Sequence, residues 1–423
     1  MSSDPPIDAG VLAGPATRRA GGPEATKAAP SELSRAGLVA LVSGHTVHDT
    51  YQAFLAPLLP GIVARLSLSL TQAALLDVFL QAPSIIQPVI GYLSDRLNLR
   101  WVVILGPALA GLAMSLLVVA PSYAALSWLL ILAGVASAAI HAAGPTIAAN
   151  MGRGHVGRSM GVWMVGGELG RALGPAVAVL ALSVMERRAF PWLMSIGFIA
   201  SAGLLYFQRR GGITTTSGSG SGSFGAALIA MRRVMLPLGA LWLVRSFALT
   251  ATSTFLPLYL TERGAALWMA GGALTLLQGS GVLGAFLGGI VSDRLGRRAV
   301  MFASIFLTGL CLLAFTAVNG WLMVILLILL GLSMLSIGPV VMAMVYESYP
   351  ESRSMANGTF MTTAFLARAV GVLVVGIVAD NVGLQLAFRG AALVYLLGLP
   401  LILLLPTEGK APPPDLDALL PEG

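Results

Sequence analysis

The stretch Gly91-Tyr92-Leu93-Ser94-Asp95-Arg96-Leu97-Asn98-Leu99-Arg100 returns as Gly289-Ile290-Val291-Ser292-Asp293-Arg294-Leu295-Gly296-Arg297-Arg298, with Asp95 and Asp293 at an offset of 198 residues. Both copies read Gly-x-x-x-Asp-Arg-x-x-x-Arg and stand where a long apolar run ends. Other landmarks recur at offsets of 195 to 201: Arg158 with Arg353, Arg171 with Arg368, Phe54-Leu55 with Phe255-Leu256. The Arg-Ala-x-Gly run at 171–174 also matches the one at 368–371. Several landmarks at one offset indicate a duplicated unit.

The surroundings of the repeat are apolar. Of 423 residues, 57% are hydrophobic and 10% charged, and the mean hydropathy is +0.86. This is the composition of a polytopic membrane protein. Stretches long enough to cross a hydrocarbon core as helices fall near 36–60, 71–93, 101–120, 123–149, 159–184 and 190–207, then near 236–260, 267–292, 299–318, 320–346, 355–379 and 384–405. The expected fold is therefore all-α, with twelve transmembrane helices in two six-helix pseudo-repeats. The expected organisation is a disordered tail (1–35), a first bundle (36–208), a flexible linker (209–235), a second bundle (236–405) and a tail (406–423). The linker reading rests on the Gly/Thr/Ser run at 211–223, which cannot build a packed core. Carriers made of two parallel repeats hold substrate between the halves and rock one against the other.

With both termini in the cytoplasm, 17 of the 25 Lys and Arg residues fall on that side, which fixes the expected orientation in a plasma or inner membrane. The net charge of +7 is then topology rather than a nucleic-acid surface. The single cysteine, Cys311, lies in an apolar span, excludes an internal disulfide and reads as a small buried residue. No phosphate-binding Gly-x-x-x-x-Gly-Lys-Ser/Thr segment is present, which argues against ATP drive within the chain. The Gly-x-Ser-x-Gly match at 157–161 enters an apolar span with no strand before it, so it lacks the elbow that hydrolases need.

Charges inside spans are costly and mark pathways. They are Asp49, Asp77 and Glu168 against Arg171, Arg245 and Arg368. His45 and Asp49 are one turn apart and share a face, as do Glu168 and Arg171. Asp49, His45, His48 and Glu168 are the candidates for proton coupling, although Glu168 with Arg171 reads equally as a static ion pair. Arg171, Arg245, Arg368 and His141 are the candidates for substrate contact, the plainer reading of His141 being a satisfied core histidine. Asp77 reads as a solvated helix-end residue. His45-x-x-His48-Asp49 also has the residue types of a metal-dependent intramembrane hydrolase, but no second ligand cluster accompanies it, and neither a metal nor a cofactor is expected.

In the duplicated cassette, glycine permits close helix approach, and aspartate can accept from a neighbouring helix N-terminus. Gly166, Gly170 and Gly174 recur every fourth residue, ahead of Pro175. Ser280, Gly284 and Gly288 do the same.

On these residues the chain resembles the major facilitator superfamily, whose cassette reads Gly-x-x-x-Asp-Arg-x-Gly-Arg-Arg. The copy at 289–298 matches closely, and the copy at 91–100 departs at Asn98 and Leu99. The resemblance implies that Gly91, Asp95 and Arg96, with Gly289, Asp293, Arg294 and Arg298, form a cytoplasmic latch between the halves. It also implies that the two glycine-striped helices, the fifth and the eighth, face each other across that boundary. Gly161 with Gly170-x-x-x-Gly174-Pro175 resembles the front of an antiporter motif, which lacks its last two glycines here because Ala178-Val179 replace them.

Within the superfamily, Gly44-His45-Thr46-Val47-His48-Asp49, Ile140-His141 and Val165-Gly166-Gly167-Glu168-Leu169-Gly170 resemble fosmidomycin-resistance-type exporters. The departures are Ala142-Ala143 after His141, and Glu168 itself. The expected function is proton-coupled efflux of small drug-like molecules by a monomer whose partners are its substrate, protons and lipid. The alternative is a carrier for organic or phosphonate-like anions, with the three arginines as the charge-binding set.

Overall fold

The structure, a computed structural model, describes residues 32–87, 89–90, 100–151, 156–211, 224–349 and 353–405. All regular structure there is helical. Among the described residues, nine helices are long and apolar enough to cross a membrane, and Leu70–Ile86 and Arg100–Leu116 are shorter apolar helical stretches. The cassette residues Gly91, Asp95 and Arg96 lie outside the described residues.

The first half comprises α1 (Glu32–Gln52), α2 (Leu55–Leu66), α3 (Leu70–Gln81), α4 (Arg100–Leu116), α5 (Tyr123–Met151), α6 (Val156–Val184) and α7 (Met194–Arg209). The second comprises α8 (Phe224–Ser253), α9 (Leu256–Glu262), α10 (Leu267–Leu295), α11 (Arg297–Phe315), α12 (Trp321–Ser348), α13 (Arg353–Val382) and α14 (Leu384–Leu396). α8 begins at Phe224, inside the stretch assigned to the linker. Residues 224–235 contain helix formers and no proline, so the helix extends back to the end of the Gly/Ser run.

The duplication is visible as equivalent packing. α6 lies on α1 as α13 lies on α8, α4 on α5 as α11 on α12, and α4 on α7 as α11 on α14. The repeated Phe-Leu pair also has a structural cause. Pro57 and Pro257 cannot donate to the carbonyls four residues back and would clash with them, so each long helix stops just before, between α1 and α2 and between α8 and α9. Phe54 and Phe255 cap the second segments and are buried.

The glycine stripes themselves pack within the halves, while the two helices that carry them, α6 and α10, meet across the boundary as the resemblance implies. A Cβ on Gly166, Gly170 or Gly174 would strike Val42, Thr46 or Thr50 of α1, and one on Gly284 or Gly288 would strike Leu332 or Ser336 of α12. Gly161 and Gly289 face more open space. The bare positions let two helix backbones touch, which maximises dispersion contact where lipid offers no hydrophobic drive.

The halves meet along α3–α13 and α6–α10, with α2 against α9. The α3–α13 seam is fastened at three levels. The Asp380 carboxylate accepts from the backbone N–H groups of Leu70 (2.7 Å) and Thr71 (2.8 Å) at the N-terminus of α3. Gly376 packs on Ala74 with no room for a side chain, and further along Asp77 meets Arg368 at 3.0 Å. Ser69 and Gln72 complete a capping box on the same helix. Along α6–α10, Gly271 packs against Val179 and the Pro175 carbonyl. Both seams lie toward the end of the bundle away from the chain termini. Asp380→Asn should weaken the α3 cap by about 1 kcal/mol, the usual worth of a charged acceptor at a helix N-terminus. Faster disulfide formation between Thr71→Cys and Asp380→Cys than between pairs placed at the opposite end would verify the proximity.

The second cassette folds into a tight turn. Gly296 adopts φ +92°, which a side chain would strain, and it joins α10 directly to α11. Asp293 pairs with Arg297 at 2.8 Å, and Arg297 also reaches Glu347 at 2.8 Å. Arg298 donates to the carbonyls of Leu403 and Leu405, and Arg294 is exposed. These partners all belong to the second half.

Candidate functional site

A cavity of about 310 Å³ lies between the halves. Asp49, Gln52, Asp77, His141 and Arg171 line it from the first half, and Trp242, Arg245, Thr254, Gln278, Phe365 and Arg368 from the second.

Asp49, 1% exposed, is the hub of the first wall. The Arg171 Nη1 donates to its Oδ2 at 2.6 Å, and the Nη2 of the same guanidinium reaches Glu168 Oε1 at 2.5 Å. One arginine thus holds two carboxylates. His45 Nε2 faces Asp49 Oδ2 at 3.5 Å, and His141 Nε2 faces Oδ1 at 3.6 Å. The His45 ring stacks on Trp163, with centroids 3.8 Å apart. Gly167 is bare because a Cβ there would lie 2.6 Å from the His45 ring and 2.9 Å from Asp49 Oδ2.

The hydrogen-bond partners bear on the tautomers. His45 Nδ1 lies 3.1 Å from the Trp163 carbonyl and His141 Nδ1 2.9 Å from the Ser137 carbonyl. Carbonyls only accept, so each Nδ1 that bonds its carbonyl carries hydrogen; at His141 that bond is the shorter of two, the Ser137 Oγ standing 3.3 Å from the same nitrogen. In a neutral ring Nε2 is then a bare lone pair, and on both histidines that lone pair points at an oxygen of Asp49. Neither contact becomes a hydrogen bond until one more proton arrives. Among the described residues, His45 Nε2 and Asp49 Oδ1 have no partner at hydrogen-bond distance.

His48 is different. Its Nδ1 donates to the Gly106 carbonyl (3.2 Å), and its Nε2 accepts from the Gln52 amide nitrogen (3.3 Å), whose identity is fixed by a second bond to the Ala133 carbonyl (2.9 Å). Both ring nitrogens are committed in the neutral state. His48, next to Asp49 in sequence and a candidate for proton coupling, therefore faces α4 and α5, and the second ring beside the carboxylate is that of His141.

Asp77 is 2% exposed, contrary to the solvated helix end expected of it. Its Oδ2 accepts from Thr254 Oγ1 (2.7 Å) and Arg368 Nη2 (3.0 Å), and its Oδ1 from Gln81 (3.2 Å). Burial against the second half explains the difference, because the outer position of a helix is solvated only if no other helix covers it. Arg171 and Arg368, equivalent in the repeat, thus pair differently, the first inside its own half and the second across the boundary.

His45, Asp49 and His141 have donor atoms within 4.8 Å of one another, a spacing a metal ion could use. The guanidinium of Arg171 already occupies the cationic position against Asp49, so a proton suits the group better than a divalent ion. The contributions of Gly167, Trp163 and Gln52 escaped the sequence reading. The doubled glycine at 166–167 was the one available signal.

A family model described as Major Facilitator Superfamily matches residues 41–290 and again 269–419. The chain belongs to the major facilitator superfamily. It is accordingly a membrane-spanning transporter of small molecules rather than an enzyme, which disposes of the hydrolase alternative. Among its relatives, the fosmidomycin resistance protein of Escherichia coli (strain K12) is 24% identical over 397 residues, covering 91% of this chain and 96% of that one. An MFS-type transporter, YfnC, of Bacillus subtilis (strain 168) is 24% identical over 375 residues, covering 86% and 91%. Among solved structures, a point mutant of the nucleoside transporter NupG superimposes with a TM-score of 0.74 at 15% identity, over 87% of this chain and 99% of the other, a likeness of fold.

Proposed function

We propose that this transporter is a proton-coupled exporter of small drug-like molecules, set in the plasma membrane with both termini in the cytoplasm. The observation that carries the proposal is the pair of imidazole Nε2 atoms that face the two oxygens of one buried carboxylate on the cavity wall. A proton placed on either Nε2 turns a lone-pair contact into a charge-assisted hydrogen bond. His141 is the ring through which that proton enters, since its side chain is 26% exposed toward the cavity while that of His45 is 3% exposed.

Loading the proton brings the Asp49–Glu168–Arg171 group, with its imidazoles, to neutrality. A carrier couples two ligands when each favours a different orientation of the halves, and this change of charge beside the boundary is the bias the proton supplies. Efflux is supported by a relative named for resistance to a drug and by the partial antiporter-like motif on α6.

The proposal is tested in proteoliposomes by efflux driven by an imposed pH gradient. His141→Gln should shift the pH midpoint of transport or abolish coupling, whereas His48→Gln, which removes a ring held neutral by two fixed partners, should leave the midpoint in place. Equal shifts in both variants would remove the Asp49–His141 pair from the mechanism.

A further inference from the structure

Three arginines line the cavity, and they are not equally satisfied. Arg171 lies against Asp49 and Glu168, and Arg368 against Asp77. Arg245 on α8 is 6% exposed and has no carboxylate within ion-pair distance among the described residues. Its Nη2 makes a long 3.3 Å bond to the Met334 carbonyl, its Nε has no hydrogen-bond partner among the described residues, and the guanidinium carbon stands 4.8 Å from the centroid of the Trp242 ring. A carbonyl dipole, the neighbouring Tyr395 hydroxyl and a ring face solvate the group without neutralising it. An unpaired ion in a membrane interior is among the most expensive arrangements a fold can keep.

The missing element is an oxyanion, and the cavity is where one can arrive. We infer that the substrate is an amphipathic organic acid with a single carboxylate, sulfonate or phosphonate group seated on Arg245. The guanidinium fork matches such groups in two parallel hydrogen bonds. The body of the molecule lies along Leu249, Leu274 and Phe365 beside Trp242, so it is apolar or aromatic, as is usual for a pocket with few polar anchors. A second strong negative charge on the ligand would have to displace Asp49 or Asp77 from its arginine, so one acid group is the fit. The charge-binding set expected from the sequence thereby contracts from three arginines to one. The inference rests on the transporter reading above and names the substrate class for it.

The test is thermal stabilisation of the purified full-length protein by phenylacetate, benzenesulfonate and phenylphosphonate, with phenylacetamide as the uncharged match. At least one acid should stabilise the protein saturably. The amide should bind about tenfold or more weakly, the ratio expected from loss of one charge-assisted pair. Arg245→Gln should abolish the preference for acid over amide, and Arg245→Lys, which keeps the charge without the fork, should retain part of it. Equal binding of acids and amide, no saturable effect of any acid, or an unchanged preference in Arg245→Gln would each overturn the inference. If Arg245→Gln does not fold, the comparison of acids with amide on the unaltered protein decides alone. Absence of gradient-driven flux in vesicles would instead count against the exporter reading, and it is read independently of these affinities.

Discussion

Asp49→Asn should abolish pH-gradient-driven efflux while leaving substrate exchange without a gradient detectable. The carboxylate does two jobs that an amide cannot. In the proposed mechanism it is the common acceptor for protons on His45 and His141, whose Nε2 atoms face it, and it pairs with Arg171 at 2.6 Å. Deleting one member of a buried charge pair costs about 3–5 kcal/mol. Here Arg171 keeps Glu168 and is 39% exposed, so the lower end or less applies to folding. The effect on coupling is larger, because no seat for the transported proton survives. Efflux against a concentration gradient should fall to the level of protein-free vesicles, while counterflow of labelled substrate persists. Undiminished uphill efflux in Asp49→Asn would take the residue out of the mechanism.

Gly170→Leu should largely eliminate folded, monodisperse protein, and Gly161→Leu should not. A Cβ at position 170 would already stand 2.4 Å from the Thr46 carbonyl oxygen, 2.9 Å from Asp49 Cβ and 3.0 Å from the Thr50 nitrogen. Two of these neighbours are backbone of α1 and cannot rotate away, so the helices must part. Overpacking by a methylene or two costs about 1–3 kcal/mol, and leucine adds more than that while separating Asp49 from Arg171. At Gly161, on the same helix, no atom of the described residues lies within 4 Å of a Cβ. Yield and unfolding temperature in detergent measure the contrast. Similar behaviour of the two variants would mean that α6 does not pack on α1 through its glycines.

How much of this was legible beforehand depends on distance along the chain. The helical class and the duplication were read from composition and recurrence, and the structure adds equivalent packing partners in the two halves. Neighbours within one helix were equally legible. His45 with Asp49 and Glu168 with Arg171 follow from a helical repeat of about 3.6 residues per turn, and both pairs are in contact. The link between them, Arg171 on Asp49, joins two helices and was not derivable from spacing.

The same limit explains the misplacements. His48 and His141 are alike as isolated residues, and only the positions of α4 and α5 turn one ring toward Gly106 and the other toward Asp49. Asp77 looked like a helix end because hydropathy records depth along a helix and carries no information about which side another helix covers. The glycine stripes announced close packing without naming the partner, and the partners are α1 and α12.

By itself the sequence determined that this chain is a duplicated, helical membrane protein, because apolar length and recurrence are properties of one dimension. The tertiary structure decided which charges are paired across the boundary between the halves, which histidines stand beside Asp49, and that Arg245 is left without a carboxylate within ion-pair distance among the described residues. Those outcomes depend on the rotation of each helix about its axis. That rotation is set by the sum of many small packing contacts between helices distant in sequence, and no local pattern encodes it.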